Sequence, residues 1–197
     1  RNVIRHWDLC IQCRACEVAC PSGVPYGRLI ESTMARVATK RQIGLMGRMA
    51  LELSLKHLLP HQGNLTFLVR ALRIYQETGL QRLVRTSGVL RLISEHLTEL
   101  EKSAPYIPST FFRARGQLIP ARGEKRAQVA LLSGCIMPLV HGPQMDAITR
   151  VLARNGCSVL VPQGQVCCGA INTHLGDLET ARKLARRNID VFLASGV

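Results

Sequence analysis

The sequence predicts an α+β chain: a mostly helical first part, then a β-α-β-α second part. Apolar residues recur at helical spacing from Tyr26 to about Glu101. Prolines and crowded arginines then interrupt regular structure over 102–126. Beyond that stretch, two short apolar runs alternate with helical segments, the pattern of parallel strands joined by right-handed crossovers.

Residues 1–25 form a cysteine-rich loop region. A helix is expected from Tyr26 to about Thr39, with Leu29, Ile30, Met34 and Val37 on one side. A second runs from about Ile43 to Leu59 and stops at Pro60, weakened early by Gly44 and Gly47. Asn64 is the expected N-cap of a helix through Glu77, closed by Gly79. Leu80–Arg85 and Val89–Glu101 read as two further helices, the latter with Leu90, Ile93, Leu97 and Leu100 as a core-facing stripe. Strands are expected at 128–132 and 158–161, and helices at 143–155 and 177–194. Pro143 suits a first helical turn, and Gly156 suits a helix end. The expected division is a helical cysteine-bearing domain over 1–101, a basic proline-containing linker over 102–126, and an α/β half-domain over 127–197.

Within 197 residues, one to two domains are expected. No secretory signal and no apolar run of about 18 residues is visible, so the chain reads as soluble, or at most peripheral to a membrane. It opens on Arg1 and stops after a helical pattern at Val197, as a piece of a longer protein would. Eight cysteines without a secretory signal point to metal or redox chemistry in a reducing compartment. The net charge of +13 fits solvated helix faces, or docking to an acidic partner or an anionic membrane surface. Nucleic acid is not expected as a partner, because aromatic residues do not interleave with the basic ones.

Cys10, Cys13, Cys16 and Cys20, with Pro21 next, give C-x2-C-x2-C-x3-C-P, the spacing of bacterial iron–sulfur ligation. Two-residue gaps let a tight loop aim three thiolates at one face, while the fourth leaves with the turn at Pro21. Zinc is the remaining alternative, although zinc sites usually pair two separated knuckles. Disulfides fit poorly at such short spacing. A second set comprises Cys135, after the first strand, and Cys167-Cys168-Gly169, after the second. In a parallel sheet both positions lie beyond the strands' carboxyl ends, where open α/β sheets bind ligands. A metal site is expected there, against the alternative of buried thiols. Cys157 begins a strand and reads as a packed thiol. His174 is placed to face the second set, and no histidine is expected as a ligand. No phosphate loop, catalytic carboxylate pair or nucleophile elbow appears.

The stretch 10–31, CIQCRACEVACPSGVPYGRLIE, resembles the second cluster motif of the iron–sulfur subunit of glycolate oxidase (glycolate dehydrogenase). Tyr75–Leu92 is similar to the same family. Gly134-Cys135 through Cys167-Cys168-Gly169 resembles the first of two cysteine-rich "CCG" domains, shared with heterodisulfide reductase, lactate-utilisation and anaerobic glycerol-3-phosphate dehydrogenase subunits.

The resemblance implies an oxidoreductase subunit that transfers electrons: two [4Fe-4S] clusters in a ferredoxin-like domain of the full-length protein, then paired CCG domains. It implies flavin-containing partner subunits that oxidise glycolate to glyoxylate, no flavin in this chain, and electrons passed toward quinone or another acceptor. A cytoplasmic location follows, with peripheral attachment to the inner membrane face as a further expectation. The metal ligands implied are Cys10, Cys13, Cys16, Cys20, Cys135, Cys167 and Cys168, with no catalytic acid or base. The sequence departs from the family by lacking a first four-cysteine run, a second CCG repeat and a C-x-x-C-like segment to complete the Cys135 site. Crossed ligation, with Cys20 serving another cluster, is favoured over closure by all four local cysteines. Related redox subunits and a zinc-stabilised binding module are the alternative identities.

Overall fold

The computed structural model describes residues 2–40 and 44–197. In chain order the helices begin with α1 (Asn2–Asp8), α2 (Ala15–Ala19), α3 (Tyr26–Lys40) and α4 (Leu45–Leu53), which runs on into a π-helix (Ser54–Leu58). Then come α5 (Gln62–Glu77), α6 (Leu80–Ser87), α7 (Val89–Ile93) and α8 (Glu95–Lys102). The last part contains β1 (Gln117–Ile119), β2 (Ala127–Ala130), α9 (Met137–Val140), α10 (Gly142–Arg154), β3 (Cys157–Val161), α11 (Ala170–His174) and α12 (Leu178–Ala194). The fold is α+β, as the periodicity predicts.

The chain divides into two compact units. The first comprises Arg1–Pro60 and Cys168–Arg186, the second His61–Cys167 and Arg187–Val197. In the first unit, Ile30 and Met34 of α3 are buried, as is Leu55 of the π-helix. Leu29 of the same expected stripe is exposed. Asn172 of α11 is fully buried and donates from Nδ2 to the Leu55 carbonyl at 3.1 Å. Gly176 (φ +85°) lies against α3 so closely that an added Cβ would stand 2.9 Å from the Ala38 side chain and 3.0 Å from the Met34 carbonyl. The expected start at Ile43 lies outside the described residues.

In the second unit the sheet order is β1-β3-β2. β2 pairs with β3 in parallel, Val129 opposite Val159, and β1 pairs with β3 antiparallel, Leu118 opposite Leu160. Val159 and Val161 of the central strand are fully buried. Phe112, Met145 and Val161 form the core cluster, with Ile119 and Leu131 packed against it. The crossover from β2 to β3 runs through α9 and α10, as the alternation predicts.

Four local expectations change. β1 lies inside the stretch read as linker. The N-cap of α5 is His61, in extended geometry (φ −101°, ψ 99°), not Asn64, so the helix starts at Gln62. The single helix expected over 89–101 is two: Ser94 is extended (φ −167°, ψ 133°), and its carbonyl accepts the Thr98 N–H at 3.3 Å. A serine favours that cap position over a helix interior. The stripe read as core is largely outside: Ile93 is 67%, Leu97 42% and Leu100 56% exposed. Amphipathic spacing places side chains on a common face but does not supply a surface to cover them.

The helical part of the second unit is tied by Glu101. Its carboxylate accepts Arg85 Nε at 2.9 Å, Gln81 Nε2 at 2.9 Å and the Tyr75 hydroxyl at 3.3 Å. The Arg85 hydrogen bond is the main reason the Glu101 carboxyl is held below its ordinary range, against the opposing effect of burial. Burial and the neighbouring carboxylate push Tyr75 up. A depressed folded-state pKa means the Glu101 contribution is full above the ordinary value of 4.5 and fades as pH falls through the lower folded value. Glu101→Ala should cost about 1–3 kcal/mol at neutral pH, and should flatten the acid limb of a stability–pH curve followed by circular dichroism. At Gly142 of α10, an added Cβ would meet the Thr110 carbonyl at 2.6 Å and the Phe112 nitrogen at 3.0 Å. Gly142→Ala should therefore destabilise by about 1–3 kcal/mol in urea unfolding.

Candidate functional site

The N-terminal cysteine loop belongs to the first unit. It turns through two left-handed residues, Gln12 (φ 53°) and Arg14 (φ 58°), a conformation non-glycine residues adopt seldom. The two positions fall between Cys10, Cys13 and Cys16. The loop is fastened to α3 at two points. Arg14 pairs with Glu31, and the Gly27 N–H donates to the Glu17 carboxylate. Gly27 has no side chain because the Arg14 guanidinium occupies that space: an added Cβ would stand 2.7 Å from its Nε. Cys20 closes α2 in extended geometry (φ −78°, ψ 114°), as a residue before proline favours.

Cys13 and Cys16 are exposed, and Cys10 and Cys20 are half-buried. The Gln12 N–H donates to Cys10 Sγ at 3.4 Å. Backbone N–H groups of Val24, then Ser22, lower the Cys20 pKa and favour its thiolate. His174 lies beside this loop, its carbonyl accepting Gln12 Nε2 at 3.4 Å. Gln12 Oε1 and His174 Nδ1 are buried without a hydrogen-bond partner among the described residues. Four thiols close together in sequence, with N–H donors at the sulfurs of Cys10 and Cys20, fit an iron–sulfur cluster in donor chemistry. Among the described residues, no three His, Cys, Asp or Glu side chains gather closely enough to hold a metal ion by themselves.

The second cysteine set begins in the other unit. Parallel pairing of β2 with β3 sends both following loops out at the same sheet edge. Cys135 and Cys167 are both buried there, with sulfurs 3.3 Å apart. The convergence expected from sequence is present for these two. Gln165 clamps the loops. Its Oε1 accepts the Ser133 N–H at 2.7 Å, and its Nε2 donates to the carbonyls of Leu131 (3.2 Å) and Pro162 (2.9 Å). Asn188 of α12 holds the far side, accepting the Val166 N–H at 2.8 Å and donating to the Cys167 carbonyl at 3.1 Å. Cys168 follows in the chain and is exposed, and Gly169 (φ +79°) is the N-cap of α11. An added Cβ there would stand 3.1 Å from the Ala181 backbone. Cys157 opens β3 and is half-buried. Gln12, Gln165 and Asn188 were not singled out from sequence. Gln12 and Gln165 lie within three residues of a cysteine, a signal within reach; Asn188, on a distant helix, left none.

Comparisons with known proteins place these features in order along the chain. Residues 3–26 match the 4Fe-4S binding domain, 46–104 the linker region of the glycolate oxidase iron–sulfur subunit, and 129–197 the cysteine-rich domain. The whole chain is 37% identical over 197 residues to the probable glycolate oxidase iron–sulfur subunit of Bacillus subtilis (strain 168), covering 44% of that protein. Over 192 residues, 95% of the chain, it is 31% identical to the glycolate oxidase iron–sulfur subunit of Escherichia coli (strain K12), covering 40% of it. Lactate utilization protein A of Bacillus licheniformis is 32% identical over 65 residues, 33% of the chain and 27% of that protein. The chain thus spans less than half the length of the relatives it matches. No solved structure matches it.

A cysteine loop of this kind followed by a cysteine-rich α/β unit defines an iron–sulfur protein that binds [4Fe-4S]. The intervening linker match and the identity along its full length show that the chain belongs to the family of glycolate oxidase iron–sulfur subunits.

Gln165→Ala should loosen the edge that holds Cys135 and Cys167, with a loss of about 1–3 kcal/mol in urea unfolding. Labelling of the two thiols by a small alkylating reagent, read by peptide mass, should accelerate in parallel.

Proposed function

We propose that this chain forms part of the electron-relay subunit of a glycolate oxidase. Electrons enter from a flavin-containing subunit that oxidises glycolate to glyoxylate, and leave toward a quinone or another acceptor. The observation that carries the reading is the C-x2-C-x2-C-x3-C-P loop on a chain of this family. The assigned ligands are Cys10, Cys13 and Cys16 for one cluster and Cys20 for a neighbouring one. Cys135, Cys167 and Cys168 contribute to a separate site that residues outside this sequence complete. The proposed division is 1–101, 102–126 and 127–197.

A bound [4Fe-4S] cluster supplies one-electron redox chemistry. The protein's own groups set its environment. The Gln12 N–H at Cys10 Sγ, and the amides near Cys20, favour sulfur that carries more negative charge. Arg14 adds positive charge beside the same loop, balanced by Glu31. The N–H donors stabilise the reduced state and raise the potential. No helix among the described residues is long and apolar enough to cross a membrane. With a net charge of +13, peripheral attachment to an anionic cytoplasmic membrane face is the location that fits a quinone acceptor.

Anaerobic purification and reconstitution test this reading. The expected product is brown, absorbs broadly near about 400 nm as thiolate–iron charge transfer does, and contains iron and acid-labile sulfide. Cys13→Ser should lower the iron content, while Cys157→Ser should leave it unchanged. A colourless zinc-loaded protein would favour the interaction-module alternative.

A further inference from the structure

We propose that the cleft beside Cys135 binds a small organic carboxylate. The cleft lies wholly within the second unit and encloses about 320 Å³, at the lower end of the volumes small-molecule sites occupy. Phe111 and Leu139 supply an apolar wall, and Arg113 and Arg115 supply positive charge. Its lining contains no aspartate or glutamate. Ser133 and Gln165, already joined by two hydrogen bonds, form a fixed polar boundary next to Gly134, the residue before Cys135.

The two arginines are built in through their main chains. The Arg115 N–H donates to Gln117 Oε1 at 2.7 Å, and Gln117 Nε2 donates to the Arg113 carbonyl at 2.8 Å. That brace fixes the backbone of 113–115 and engages neither guanidinium. Among the described residues, neither side chain has an ion-pair partner. Two unpaired guanidinium groups with no nearby carboxylate favour an anion, and the planar fork of arginine matches carboxylate geometry. The aromatic and aliphatic wall requires that the anion carry an apolar body. Inorganic phosphate satisfies only the charge, and a neutral amide satisfies only the shape. This site is separate from the proposed cluster ligands and does not depend on the electron-relay reading.

The test is titration of the full 197-residue chain with 3-phenylpropionate, 3-phenylpropionamide and inorganic phosphate, followed by calorimetry and by amide NMR shifts. The carboxylate should bind saturably, about tenfold or more tighter than the amide, and should move the Gly134 and Gly164 signals. Arg113→Gln with Arg115→Gln should reduce that affinity by about tenfold or more, with partial retention in the double lysine variant. Phe111→Ala should weaken the carboxylate and leave phosphate unaffected. Equal binding of acid and amide, or shifts confined to other residues of the unsubstituted chain, would overturn the proposal whether or not the variants fold. Phosphate binding as tightly as the carboxylate would also overturn it, by reducing the cleft to a general anion patch.

Discussion

β3 is the constraint on which the second unit depends. It pairs on both edges, antiparallel with β1 and parallel with β2, and its inward valines are sealed from water. The parallel edge matters more for chemistry. Two strands running the same way must release their following loops at the same end, whatever the loops contain. Here the loops contain Cys135 and Cys167, and Gln165 with Asn188 converts that shared exit into fixed positions. The sulfur pair is thus a product of strand direction first and of side-chain clamping second.

The first unit orders its cysteine loop without a sheet. Gln12 and Arg14 accept left-handed backbone conformations that most side chains avoid, and the loop holds them through contacts to α3. Such conformations persist only where surroundings compensate for them, and they concentrate at functional positions. Among the described residues, the buried polar atoms without a hydrogen-bond partner include Gln12 Oε1 and His174 Nδ1. Left-handed backbone and an unsatisfied polar atom thus meet at Gln12, within the loop that carries the four cysteines.

Much of this was legible in the sequence. The cysteine spacing, the long α3 and α12 helices, the β2–α10–β3 alternation and the convergence of Cys135 with Cys167 follow from periodicity and strand direction. β1 was not legible, because three residues flanked by prolines and arginines carry no alternation to detect. The break at Ser94 was hidden by an unbroken apolar stripe, although a serine in mid-helix offered a hint. The exposure of Ile93, Leu97 and Leu100 was beyond periodicity altogether, since spacing defines a face and says nothing of what lies opposite it. The contact between the His174 carbonyl and Gln12, 162 positions away in the chain, leaves no trace in the spacing.

Gly176 carries a consequence of its own. The helix α3 holds the cysteine loop through Glu31 and Gly27, and Gly176 presses against that helix's backbone near Met34 and Ala35. The helix therefore has little room to slide, and the loop it carries inherits that stiffness. For a one-electron carrier of the kind proposed, stiffness is useful: the less the thiols shift when charge arrives, the smaller the reorganisation energy each hop must overcome. A missing methyl group some 160 residues downstream thus bears on how fast the amino-terminal loop could exchange electrons.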